Sequence, residues 1–174
     1  MNKLKNKIDK IINKKKTLLG VGPMSLNVVD SSIELADKYK SPIMLIASRR
    51  QVDSDEFGGG YVNNWTTKNF SNYVKKKEKT KNIYLARDHG GPWQNNLDIE
   101  GKISLKSAMI SAKNSFEEDI DSGFSFIHID TSIDIHKKIN FRNSMDRLFE
   151  LYEHCYAYSK RKKKEILFEI GTEE

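Results

Sequence analysis

Three features of the sequence predict an α/β chain of the (β/α)8 TIM-barrel type. First, strand-type runs at residues 43–47, 83–86, 124–129 and 165–170 recur about every forty residues, with helical patterns between them. Apolar runs alternating with helices are the mark of a parallel sheet with helical covers. Second, polar residues stand at the exits of successive strands. Arg49, Arg50 and Gln51 follow the second strand, Asp88 and His89 the third, Asp130 and Ser132 the fourth, and Glu169 and Glu173 the fifth. Chemistry spread over the carboxyl ends of several strands is the barrel pattern. Third, no Gly-x-Gly-x-x-Gly accompanies the first strand, which argues against a dinucleotide-binding doubly wound sheet.

The elements follow in order, within one domain over residues 1–174. Leu4, Ile8, Ile11 and Ile12 share one helical face among lysines, which predicts a short basic leading helix within residues 1–16. Its apolar face is too narrow for a membrane-surface helix. Residues 17–23 read as the first strand and a turn. Ser25 is the expected N-cap of a helix to Tyr39, with Val28, Val29, Ile33 and Leu35 as its core positions. Pro42 stops that helix before the second strand.

The exit of the second strand, residues 48–65, is long, polar and centred on Phe57-Gly58-Gly59-Gly60-Tyr61. Such a loop is either functional or a mobile surface connection. It is not a phosphate-binding P-loop, because no Lys-Ser/Thr follows the glycines. Thr66 or Thr67 caps the next helix, with Phe70, Tyr73 and Val74 facing inward. The third strand ends in Asp88-His89-Gly90-Gly91-Pro92, where a glycine-proline turn could bring both polar side chains to one pocket. A helix from about Ser104 to Ile120 leads to the fourth strand. Asn140 opens a helix to about Ser159, with Met145, Leu148, Phe149 and Tyr152 at helical spacing.

Composition narrows the function. The net charge is +6 and the pI near 9.2, but the lysines lie beside helical patterns in 3–16, 75–81 and 161–164. No nucleic-acid-binding motif accompanies them, so a solvated basic surface is expected and no nucleic-acid partner. The one cysteine, Cys155, excludes an internal disulfide or cysteine-based zinc site and reads as a packed thiol. No stretch approaches membrane-spanning length, and a cytoplasmic protein is expected.

Four segments in register resemble a known family. They are Phe57-Gly58-Gly59-Gly60-Tyr61, Asp88-His89-Gly90-Gly91-Pro92, His128-Ile129-Asp130-Thr131-Ser132 and Glu169-Ile170-Gly171-Thr172-Glu173. Their order and spacing, from about Leu18 onward, resemble the auxiliary, non-catalytic subunit of class II D-tagatose-1,6-bisphosphate aldolase. That family is similar to the zinc-dependent ketose-bisphosphate aldolases, which are (β/α)8 barrels. The resemblance implies Asp88 as acid/base at the cleaved carbon, and His89 and Glu169 as residues at a Zn²⁺. Asp130 and Ser132 would form a polar cluster at the fourth strand. It implies a catalytic class II aldolase subunit as partner and a sugar phosphate as ligand, with Arg49 or Arg50, Gln51, Gly59 and Gly90 as candidate substrate-binding positions.

The departures from the catalytic relatives point the same way. A catalytic zinc site keeps three protein ligands, and the late-strand histidines of the aldolases have no counterpart here. His154 lies in a helix, His136 in a loop or helix start, and His128 reads as a satisfied core histidine. Eight units of about forty residues exceed 174 residues, and barrels typically need about 250. A fragment, a truncated product or a barrel completed by a partner is therefore expected. The leading expectation is a non-catalytic subunit that stabilises a tagatose-bisphosphate aldolase in galactitol or amino-sugar metabolism. The alternative is a metal-dependent sugar-phosphate aldolase acting itself. A kinase is disfavoured by the missing nucleotide-binding loop.

Overall fold

The computed structural model describes residues 3–15 and 17–171; the readings placed on Lys16, Thr172 and Glu173 lie outside them. Helix α1 spans Lys3–Asn13, β1 Leu19–Val21, α2 Leu26–Tyr39 and β2 Ile43–Ser48. Helix α3, Thr67–Lys77, leads to β3, Ile83–Gly90. Helices α4, Asn96–Glu100, and α5, Leu105–Ser122, precede β4, Phe126–Asp130. Helix α6, Phe141–Arg161, precedes β5, Leu167–Gly171.

Local chemistry sets these boundaries. Ser25, Thr66, Ser104 and Asn140 each accept the backbone N–H three residues on, the N-cap bond that isolated helix starts need. Gly123 closes α5 in the left-handed region at φ 92°. Helix α4 is absent from the sequence reading because five residues are too short to display a period. Strands β4 and β5 begin two residues later than expected, and just ahead of β4 the Ser125 backbone bonds to Leu85 and Leu167 on the neighbouring strands.

The five strands are parallel and lie in the order β1-β2-β3-β4-β5. The order never reverses, so no switch point of the doubly wound kind exists. Helices touch in chain order, α2 with α3, α3 with α5 and α5 with α6, which puts them on one face of the sheet. This arrangement is consistent with part of a (β/α) barrel. The core lies between sheet and helices, with Leu45, Ala47, Phe70, Phe116, Ile127, Ile129 and Leu151 buried. In β2 the alternate residues Met44, Ile46 and Ser48 face the other side and are half-buried. That second face ends at the site described below. Among the described residues no helix is long and apolar enough to cross a membrane.

Val29, Ile33, Phe70, Val74 and Leu148 are buried as their spacing predicts. Leu35 and Phe149 are instead exposed, on the solvent side of α2 and α6. Cys155 is fully buried, and burial pushes its thiol far above the usual range, which makes it an inert packing group.

The loop between β2 and α3 is built in, not mobile surface chain. Val52, Asp53, Val62 and Trp65 are buried, and a 3₁₀ turn forms at Asp55–Phe57. The chain then folds back, with Tyr61 N–H donating to Arg50 O and Val62 N–H to Gln51 O. A Cβ on Gly60 would sit 2.0 Å from Gln51 O, so the return path admits only glycine there.

Helix α1 is tied across the amino-terminal end of the sheet. Glu165, just before β5, accepts the Leu4 and Lys5 backbone N–H groups at 3.1 and 3.4 Å. A carboxylate there satisfies helix donors that lack an internal partner and complements the helix dipole. Glu165→Ala is expected to cost about 0.5–1 kcal/mol and to speed hydrogen exchange in α1 while leaving the strands protected. Unchanged α1 exchange would show that packing alone holds the helix.

Candidate functional site

The carboxyl ends of β2, β3 and β4 surround a cavity of about 610 Å³. Its lining includes Arg50, Gln51, Asp88, His89, Asp130 and Ser132, so six of the residues singled out in the sequence meet in one place. Ser48, Tyr61, Gln94 and Ile133 complete it.

A break in strand register brings Asp88 and His89 together. Arg87 pairs with Ile127, but Gly90 pairs with Ile129, so β3 carries one extra residue against β4. The bulge contains Asp88 and His89, and His89 has φ 43°. Neighbouring residues of a regular strand point to opposite faces; a bulge with a left-handed residue aims both the same way. The Gly90-Gly91-Pro92 turn alone therefore does not unite the pair. A histidine held in the left-handed region is strained, and such residues persist where the surrounding structure forces them.

Asp130 is the best-satisfied group of the site. It is buried, and its Oδ1 accepts the Ser132 N–H at 2.9 Å and Oγ–H at 2.6 Å. Its Oδ2 takes the Gln94 side-chain amide at 3.0 Å and lies 2.9 Å from His89 Nδ1. Burial works to raise its pKa, but the bonds from Ser132 and His89 outweigh this and hold the carboxyl below the usual range. With Nδ1 beside the Asp130 carboxylate, the other ring nitrogen, Nε2, lies on the Asp88 side, 3.6 Å from its Oδ1.

His128 corrects the sequence reading of a satisfied core histidine. It is buried, yet its Nε2 has no hydrogen-bond partner, and its Nδ1 lies 3.5 Å from Asp88 Oδ1 and 3.4 Å from the His89 backbone N. The Asp88 contact raises the His128 pKa and lowers that of Asp88. One donor atom each from Asp88, His89 and His128 lie within 4.8 Å of one another, a group that could hold a metal ion. Two imidazoles and a carboxylate are a fitting donor set for zinc. His128 was legible only as an inward residue of strand four; its meeting with Asp88 depends on the bulge across the sheet.

Four other candidate residues stand outside the cavity lining. Arg49 does not reach the cavity. It is buried and donates to Asp53 Oδ2 at 2.8 Å, Gly91 O at 3.1 Å and Ser111 Oγ at 3.0 Å, so it braces the turn after β3 from beneath. The neighbouring Arg50 is exposed and lines the cavity instead. Glu169 pairs in register with His128 but is exposed on β5 and stands outside the three-residue donor group. Gly59 turns the β2–α3 loop at φ 70° against Trp65 O, away from the cavity lining. Gly90 serves close packing, since a Cβ there would lie 2.2 Å from the Phe116 ring. Gln94, Ser48 and Tyr61 were missed, because a polar residue in a polar loop carries no local signal of direction.

Comparison with known proteins bears on this site. No curated protein sequence matches the chain. Among solved structures, a probable tagatose 6 phosphate kinase from Sinorhizobium meliloti 1021 shares the fold, with a TM-score of 0.71 at 21% identity. The match covers 91% of this chain and 39% of that one, so the present chain spans well under half of that protein's length. The family model described as "D-tagatose-1,6-bisphosphate aldolase subunit GatZ/KbaZ-like" matches residues 5–174, and the chain belongs to that family.

Proposed function

We propose that the chain acts as the non-catalytic, stabilising component of a class II tagatose-bisphosphate aldolase, working in the cytoplasm in galactitol or amino-sugar breakdown. The observation that carries the reading is a family member's polar cavity, with Asp88, His89, Asp130 and Ser132 gathered at the strand ends. A cavity of about 610 Å³ suits a small polyhydroxylated ligand. Arg50, exposed at its rim, supplies a cation for a phosphate group, while Gln51 and Ser132 offer hydrogen bonds to hydroxyls.

Zn²⁺ is the metal this reading expects, with His89 among its ligands. When bound, such an ion polarises a carbonyl or enediolate oxygen. The chain's own residues orient the site: Asp130 holds the His89 ring, and Ser132 and Gln94 hold Asp130. The remaining strands of a closed barrel would come from polypeptide outside these residues.

The test is tagatose 1,6-bisphosphate cleavage by a catalytic class II subunit with and without this chain. A longer-lived or higher partner activity, with none from the chain alone, is the expected result. Indifference of the partner would sink the reading. The donor group of Asp88, His89 and His128 supports one rival, a metal-dependent aldolase acting itself; cleavage by the chain alone with Zn²⁺ would establish it.

A further inference from the structure

We infer that Asp88, His89 and His128 together ligate one zinc-type divalent cation, in a site belonging wholly to β3 and β4, where Asp88 serves as a ligand and not as a proton shuttle. The inference rests on the ligand-binding reading above and specifies how that site can bind without cleaving.

The spacing of the donors is the first argument. Asp88 Oδ1 lies 3.6 Å from His89 Nε2 and 3.5 Å from His128 Nδ1. These separations are too long for well-made hydrogen bonds between such groups. They are close to the edge of about 3.3 Å expected between ligands placed tetrahedrally around zinc at about 2.0–2.1 Å. The two edges that share Asp88 thus suit a common cation better than direct hydrogen bonds, and the three donor atoms all lie within 4.8 Å of one another.

Protonation supplies the second. His128 Nδ1 faces a donor, the His89 amide at 3.4 Å, and an acceptor, the Asp88 carboxylate at 3.5 Å. As a lone pair it can serve only the amide, and as N–H only the carboxylate. A cation would take the lone pairs of the ring and the carboxylate together, with the weak 3.4 Å amide contact given up. The ring's other nitrogen, Nε2, is buried and has no hydrogen-bond partner. Gly171 on β5 leaves the space for it: a Cβ there would stand 2.5 Å from Nε2.

The surroundings supply the third. Metal-bound histidines almost always pass their second ring N–H to a carboxylate or carbonyl, which fixes the tautomer. Asp130 makes that contact to His89 at 2.9 Å and is itself held by Ser132 and Gln94. The strained φ of His89 is what brings its ring and the Asp88 carboxylate to the same side of the sheet.

The consequence concerns chemistry. Three protein ligands leave a zinc-type ion with an open position, which the oxygens of a ketose phosphate can enter. A carboxylate engaged with the ion is not available to carry a proton to and from the carbon being cleaved. The site then holds the sugar without breaking it, as a non-catalytic subunit should.

The experiment uses the full chain, stripped with a chelator and titrated with Zn²⁺ by calorimetry, and with Co²⁺ by visible absorption. One ion per chain and the intense spectrum of tetrahedral Co²⁺ are expected. Asp88→Asn and His128→Gln should each lose measurable binding, and Asp130→Asn should weaken it by about 10–100-fold. Glu169→Gln should bind as the parent does. Thermal melts of each variant separate lost binding from lost fold, and Asp88, half-exposed, is the variant least able to unfold the chain. No binding by the parent, parent-like binding by folded Asp88→Asn, or a loss with Glu169→Gln would each overturn the inference. Neither sugar nor partner aldolase enters the measurement, so its failure is distinct from failure of the subunit reading.

Discussion

Replacing Asp119 with Ala is expected to cost about 3–5 kcal/mol of folding stability, read as a fall in the denaturant midpoint at unchanged slope. Asp119 on α5 and Arg87 on β3 are both fully buried. Their contact is bidentate, Arg87 Nε to Oδ2 at 2.7 Å and Nη2 to Oδ1 at 2.6 Å. The remaining guanidinium donor, Nη1, binds the Ala47 and Val52 carbonyls, so the pair also fixes the exit of β2. A guanidinium does not lose its charge by deprotonation, so removal of its carboxylate leaves an uncompensated cation in the core. Replacing both partners by apolar residues of similar volume, Arg87→Met with Asp119→Leu, should recover much of the loss, because the desolvation penalty disappears with the charges. If the single and double variants are equally unstable, the carbonyl contacts of Arg87 matter more than the pair.

The second large effect is expected at Gly91, at the turn after β3. A Cβ there would lie 1.9 Å from the Asp130 backbone oxygen, and backbone cannot move aside as a flexible side chain does. Gly91→Ala should therefore push β3 and β4 apart where Asp88, His89 and Asp130 meet. A loss of about 2–3 kcal/mol is expected, with weaker Zn²⁺ binding at temperatures where the variant is folded. Gly58→Ala is the control: nothing lies within 4 Å of the added carbon, so its strain is limited to its own φ of 77°. Equal effects at Gly58 and Gly91 would mean that turn conformation, not the approach of β4, sets the requirement.

Both predictions turn on contacts between segments distant in sequence, and this marks the limit of what the residues announce alone. Arg49 and Arg87 illustrate it. Arg49 follows a strand, where a polar residue ordinarily reads as functional, and Arg87 interrupts an apolar run. Of the carboxylates that allow their burial, Asp53 lies four residues after Arg49 in the same loop, but Asp98 and Asp119 stand on other elements, and a buried charge is tolerated only with such partners. Arg50, next in sequence and of the same charge, is the one at the cavity.

The order of the strands and longer helices, the cap at Ser25 and the one at Thr66 or Thr67, the helix starts at Ser104 and Asn140, and the packed thiol of Cys155 were legible in the sequence. Each follows from apolar periodicity or from a bond made within a few residues. So was the gathering of Asp88, His89, Asp130 and Ser132, because parallel strands must all end on the same side of a sheet. Tertiary structure alone decided which way those side chains point. One extra residue in β3 turns His89 beside Asp88 and brings the pair to His128. A register shift is an agreement between two strands about forty residues apart, and neither strand carries it by itself.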